Sequence, residues 1–142
     1  MRIIERAALP CGEWDAFVDV HERGWFWHRE AWLAYQLAYR DGNADMSFAV
    51  IGPSSILAIV PLIASSPYNG DREFSFSGDP LADPLLAQGT APDALSLAVR
   101  IGCQVEEIGA RRTVGRLLVM GSPFAPGAEG TSSPYGQRVV NL

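Results

Sequence analysis

Lysine is missing from this sequence: all 11 basic residues are arginine. That removes chemistry resting on a side-chain amine, such as a Schiff base or a phosphate-binding P-loop lysine. Histidine and cysteine are scarce, with only His21, His28, Cys11 and Cys103 present. Those four residues lack the paired spacing of a zinc site, so no metal is expected. The two cysteines lie far apart and read as buried thiols in a reducing compartment. Long hydrophobic runs are absent as well; none approaches the roughly 20 residues needed to span a bilayer. The opening MRIIERAALPCGEW carries acids where a signal peptide has its apolar core. No membrane association and a cytoplasmic location are therefore expected. Positive charge is also short: the net charge of −5 argues against a general nucleic-acid binder, whose footprint is basic.

What remains is apolar and well mixed. Hydrophobic residues make up 48% of the 142, and the mean hydropathy is +0.07. A single globular domain over 1–142, with a real core, is expected from that length and composition. Arg2–Ala7 reads as a first strand. Pro10–Glu22 places Trp14, Phe17, Val18 and His21 on one helical face. Glu13 and Asp15 fall in its first turn, where the helix dipole favours acids, and Gly24 is expected to end it. A second helix is expected over Arg29–Arg40, with Trp32, Leu33, Leu37 and Tyr39 available for burial. The turn DGNAD (Asp41–Asp45) closes it.

Two strand candidates come next, Met46–Ile51 and Ser55–Ile63, separated by Gly-Pro-Ser and read as an antiparallel hairpin. The second contains Pro61. Proline cannot donate to a ladder, so the strand is expected to end or bulge there, near its outgoing end. Glu73–Ser77 reads as the next strand. A third helix starts at the signal Thr90-Ala91-Pro92-Asp93, with Ala94, Leu95, Ala98, Val99, Gly102 and Val105 as its apolar stripe and Gly109 as its C′ residue. Gly115–Met120 is a further strand, 121–136 a long Gly/Pro/Ser-rich loop, and QRVVNL a last strand. The order β-α-α-β-β-β-α-β-loop-β describes an α+β or mixed α/β domain.

Several residues carry candidate chemistry. Trp25, Phe26, Trp27 and Trp32 either fill the core between helices and sheet or form the wall of an acyl or peptide groove. His28 reads as a polar group at a helix start rather than a general base. Asp79 and Asp83 shape a turn and act as caps before Pro80 and Pro84, or they orient an acceptor amine. Arg111, Arg112 and Arg116 belong to a solvated turn after a helix C-terminus, or receive an anion such as a coenzyme A phosphate or a tRNA backbone.

Three stretches taken together resemble the N-terminal half of FemAB-like proteins, a branch of the GNAT acyltransferase superfamily. They are FWHREAWL (Phe26–Leu33), MSFAVIGPSSILAIVPL (Met46–Leu62) and FSFSGDPLAD (Phe74–Asp83), and the closing RVVNL is similar to the strand before the family's next helix. The resemblance implies a GNAT-like core, a mixed, mostly antiparallel sheet flanked by helices. It also implies transfer of an acyl group from coenzyme A, or an aminoacyl group from charged tRNA, to a small-molecule or peptide amine. Trp27, Trp32, Ser77, Asp79 and Asp83 are then acceptor-groove candidates, and Arg111, Arg112 and Arg116 anion-binding candidates. Family members fuse two such units, whereas this sequence covers one. The phosphate-cradling pattern Q/R-x-x-G-x-G/A is not met by LLAQGTAPDAL, and Arg112–Leu117 fits only its first four positions.

The reading implied is an N-terminal unit that shapes the acceptor groove and takes donor binding from a second GNAT-like unit. Acyl-coenzyme A or aminoacyl-tRNA would be a donor substrate, with no covalently bound cofactor. The alternatives are a minimal acyl-coenzyme A-dependent transferase acting as a dimer and a non-enzymatic interaction module with a degenerate fold. In each case the C-terminal strand offers an edge for self-association.

Overall fold

The computed structural model describes residues 1–65, 83–89 and 94–112, together with strands at 73–75, 116–120 and 137–141 through their backbone pairing. Its elements are strand β1 (Arg2–Glu5), helix α1 (Glu13–Val20), helix α2 (Glu30–Tyr39), strands β2 (Ala44–Asp45), β3 (Phe48–Ile51), β4 (Ile56–Val60), β5 (Ile63–Ser65), β6 (Glu73–Ser75) and β7 (Leu85–Leu86), helix α3 (Ala94–Arg112), and strands β8 (Arg116–Met120) and β9 (Gln137–Asn141). Short 3-10 turns at Arg6–Ala8 and Phe26–His28 lead out of β1 and into α2. The fold is mixed α+β. Among the described residues every strand pairing is antiparallel except β6 with β8, which is parallel with α3 lying between them in sequence.

The strands form two sheets, β1-β3-β4-β7 and β2-β5-β6-β8-β9. The two share one spine. Asp45 lies opposite Ile63 and Phe48 opposite Val60, so three steps forward on one strand match three steps back on the other. β2 with β3, and β4 with β5, are thus two long strands of one hairpin, interrupted at Met46–Ser47 and Pro61–Leu62. Met46 N–H still donates to Leu62 O at 2.8 Å. Leu62 N–H donates to Ser47 Oγ at 2.9 Å, so a buried hydroxyl stands in for a ladder carbonyl.

Pro61 lies inside this long strand, not at its outgoing end. On the edge away from β3, Leu57 and Ile59 face β7, while Ile63 and Ser65 face β6. The alternation of antiparallel pairing turns Pro61 to that same edge, between the two diverging neighbours. A residue there would aim its N–H into the fork of the sheet, and proline has none to leave unpaired.

Side chains alternate across the spine. Phe48, Val50, Ala58, Val60, Leu62 and Ala64 pack against Leu97, Ile101 and Val105 of α3. Ala49, Ile59 and Ile63, with Leu85 of β7, pack on the other face against Trp14 and Val18 of α1 and Leu33 of α2. A sheet covered on both faces explains the continuous apolar runs FAVI and ILAIV.

Several boundaries depart from the sequence reading. β1 stops at Glu5 because Arg6–Ala8 turns away. α1 ends at Val20, before Gly24, whose role is close approach: a Cβ there would lie 2.0 Å from Val18 O. Tyr39 is exposed, and β7 was not anticipated. Helix α3 buries the row Leu97, Ile101 and Val105, whereas Leu95 is 74% exposed and Val99 58%. Gly109 continues the buried i, i+4 row inside the helix, which runs on to Arg112. Both cysteines are free and exposed, contrary to the buried thiols expected. The helix-start signal Thr90–Asp93 and the loop 121–136 lie outside the described residues.

Candidate functional site

The residues leading into α2 bring both histidines and a row of aromatic rings together with α1 and β7. α2 is capped from a neighbouring helix: Glu30 N–H donates to Asp15 Oδ1 at 2.9 Å, and Arg29 pairs with Asp19. Asp15 therefore serves the first turn of α2 as well as its own. Trp14 Nε1 donates to His28 O at 2.7 Å from a fully buried indole, fastening the turn before α2 to α1.

Both histidines work in the same way. His28 Nδ1 accepts from Trp25 N–H at 3.2 Å, and its Nε2 lies 2.9 Å from Asp83 O. His21 Nδ1 accepts from Arg23 N–H at 3.1 Å, and its Nε2 lies 2.6 Å from Leu86 O. An imidazole that accepts at Nδ1 and donates at Nε2 is neutral, so the geometry assigns one tautomer to both rings. Two neutral histidines thus clamp the segment Asp83–Leu86 onto the connection between α1 and α2. For His28, burial pushes the pKa below its ordinary value, although the backbone bonds act in the opposite direction. This histidine is a structural tie with both ring nitrogens engaged.

The aromatic side chains, read from the sequence either as core or as a groove wall, lie mainly at the surface. Trp25 is 63% exposed and Phe26 51%, and Trp27 and Trp32 are half-buried. Trp27 meets Trp32 edge-on with ring centroids 4.4 Å apart, and Phe26 touches both. The row continues along α2 with Trp32 stacked on Tyr35 at 5.2 Å and Tyr35 on Tyr39 at 5.5 Å. Positions 32, 35 and 39 share a helical face, which accounts for the stacking. The Leu33 row of α2 already fills the core, so these rings have no place in it.

Asp83 sits at one end of this surface, through its carbonyl bonded to His28, the residue after Trp27. Its carboxylate is mostly covered, and burial raises its pKa above the ordinary carboxylate value while Arg23 opposes the shift. Arg23 approaches only to 3.6 Å and is itself mostly exposed. The tertiary structure therefore brings Trp27 and Trp32 into contact and ties the Asp83 backbone to the turn that carries Trp27. Ser77 and Asp79 lie outside the described residues.

The arginine candidates stand elsewhere. Arg111 is on α3, across the sheet from Trp27 and Trp32, and it is a helical residue rather than part of a turn. Arg112 ends the same helix and Arg116 begins β8; their side chains are outside the described set. Arg111 pairs with Glu107 one turn earlier at 3.4 Å. It also lines a cavity of about 400 Å³ between β1, the β2–β3 junction and α3. Sequence reasoning missed this cavity because its walls come from residues 3–7, 45–48 and 104–111, which no local pattern connects.

Among the described residues no group of three or more histidine, cysteine or acidic side chains is placed to hold a metal ion. Nor is any described helix long and apolar enough to cross a membrane. Comparison with family models, curated proteins and solved structures found no match to the chain.

Proposed function

We propose that this chain is the acceptor-side unit of a FemAB/GNAT-like N-acyltransferase or aminoacyltransferase, working with a second unit that binds the donor. The observation that carries the reading is Asp83, a largely covered carboxylate whose backbone is tied to the turn that carries Trp27 and which, among the described residues, is paired only through a long contact to an exposed arginine. An incoming ammonium can replace Arg23 there without breaking a short hydrogen bond. A carboxylate made more basic by burial is suited to take the proton the ammonium must lose before its nitrogen can attack, and the second N–H proton leaves on the departing thiol or hydroxyl of the donor. In that step the amine nitrogen bonds to the acyl carbon and the donor's thioester or ester bond breaks. Trp27 and Trp32 would flank the chain that bears the amine.

The sheet supports the fold implied by the resemblance, being mostly antiparallel with one parallel pair joined across a helix. β9 stands at the end of its sheet's order among the described residues, where a partner strand can add. We assign the second unit to that edge.

The test uses indole fluorescence of the purified chain during titration with peptide amides that carry a free amine and no carboxylate. Saturable quenching is expected, weakened in both Trp27→Phe and Asp83→Asn. Acetyl-coenzyme A is expected to bind only once a second unit is supplied. Saturable acetyl-coenzyme A binding by this chain alone, with no response to amines, would overturn the assignment in favour of the minimal enzyme.

A further inference from the structure

The cavity on the α3 face has a charge pattern that selects a ligand. Its apolar floor is Ile3, Met46, Phe48 and Ile108, the rim of the core between α3 and the sheet. Its charged lining consists of Glu5, Arg6, Asp45 and Arg111. Two of these are committed to each other. Arg6 Nε and Nη2 contact Asp45 Oδ2 at 2.8 and 2.6 Å, and Nη1 reaches Glu30 at 3.2 Å. That network sets two carboxylates on one guanidinium and is mostly covered, so Arg6 has no free donor face to offer an anion.

Glu5 and Arg111 differ. Among the described residues Glu5 makes no ion pair, and Arg111 holds only Glu107 in an exposed i, i+4 contact. Such contacts are weak in water and exchange readily. The cavity therefore offers one available carboxylate and one available guanidinium over an apolar floor. A simple anion attracted to Arg111 would meet Glu5, and a simple cation attracted to Glu5 would meet Arg111. Only a molecule carrying both charges satisfies both walls. Ser47 and Gln104 add polar edges, although the Ser47 hydroxyl is already engaged with the Leu62 backbone.

We infer that this cavity binds a small amphipathic zwitterion of amino acid to tripeptide size. Its ammonium lies against Glu5, its carboxylate on Arg111 and its apolar side chain on Ile3, Met46, Phe48 and Ile108. A volume of about 400 Å³ falls at the small end of ligand sites and suits this size class. The site is on the opposite face of the sheet from Trp27 and Trp32, so it is independent of the acceptor reading.

The experiment tracks the backbone amide signals of Gln104, Ile108 and Arg111 by NMR in the intact chain. The ligands are leucine, dileucine, trileucine, leucinamide and N-acetyl-leucine. Saturable shifts are expected with at least one zwitterion, and the best length reports the span between the two charges. Removing either charge, as in leucinamide or N-acetyl-leucine, should weaken binding about tenfold or more, the worth of one charge-assisted hydrogen bond. Glu5→Gln should abolish the preference for leucine peptides over their acetylated forms, and Arg111→Gln the preference over their amides. Both positions are exposed, so these variants are expected to fold. Asp83→Asn should leave the shifts in place, which separates this site from the acceptor groove. Absence of saturable shifts with every zwitterion, or equal binding of the capped ligands, would overturn the inference.

Discussion

The two faces of the sheet are covered by helices held in different ways. On one face α3 contributes an apolar row, Leu97, Ile101 and Val105, that packs on alternate residues of the spine. On the other, α1 and α2 add directional polar ties to their apolar contacts: Trp14 to His28, His28 to Asp83 and His21 to Leu86. Apolar packing is non-directional and tolerates small rotations, whereas a buried hydrogen bond holds one geometry. The polar-tied face is the one that presents Trp27, Trp32 and Asp83. The proposed acceptor groove would therefore stand on the more directionally held face.

The largest effect should come from Trp14→Ala, which removes a fully buried indole and the partner of His28 O. About 3–5 kcal/mol of stability should be lost, against about 2–5 kcal/mol for Ile101→Ala on the other face. Denaturant unfolding of both variants checks the contrast. A smaller loss for Trp14→Ala would show that the polar ties are not what holds its face.

His28→Ala should cost about 2–4 kcal/mol, since a buried ring is lost along with partners for Trp25 N–H and Asp83 O. The same ring should make stability depend on pH. Its folded pKa is below the ordinary 6.5, so its contribution is present above pH 6.5 and is lost as pH falls through the lower folded value. Burial is the main cause and the nearby Arg23 cation adds to it, while the backbone bonds to Asp83 and Trp25 act in the opposite direction. Asp83 has the opposite sign. Its raised pKa favours the folded state below about 3.8, and that contribution is lost as pH rises through the folded value. Acidification from pH 7 towards 5 should therefore destabilise the chain, and His28→Ala should flatten that slope while Ile101→Ala keeps it. Equal slopes in the two variants would remove His28 from the account.

Ser47→Ala tests the spine that both faces share. Losing the acceptor for Leu62 N–H should cost about 1–3 kcal/mol without moving either helix. The smallest effect is Leu95→Ala, expected within about 0.5 kcal/mol because the side chain is exposed. A loss as large as that of Leu97→Ala would return α3 to the orientation read from its sequence.

That misreading has a physical cause. α3 carries apolar residues nearly all round its first half, so two overlapping stripes satisfy the helical period. Which one is buried depends on where the sheet lies. The hairpin was easier, because FAVI and ILAIV are apolar runs around a short turn, and both appear as strands close to their expected positions. Pro61 was legible as an interruption, but not as the point where the neighbouring strand changes. In the candidate site, Trp27 and Trp32 stood out as a cluster and do touch. The histidines did not reveal themselves, because each is tied to a backbone group 55 or 65 residues away. The cavity between Glu5 and Arg111 had no sequence signal of any kind.

Local chemistry in the chain was enough to determine the mixed α+β class, the strand hairpin, the three helices seen among the described residues and the clustering of aromatic residues. These arise from apolar periodicity and turn residues, which act over a few positions. Tertiary structure alone decided which face of α3 is buried, that the tryptophans line a surface, that two neutral histidines fasten Asp83–Leu86, and that Arg111 lies across the sheet from Asp83. Each of those depends on contacts between residues distant in sequence, where burial and hydrogen-bond geometry are set by the whole sheet.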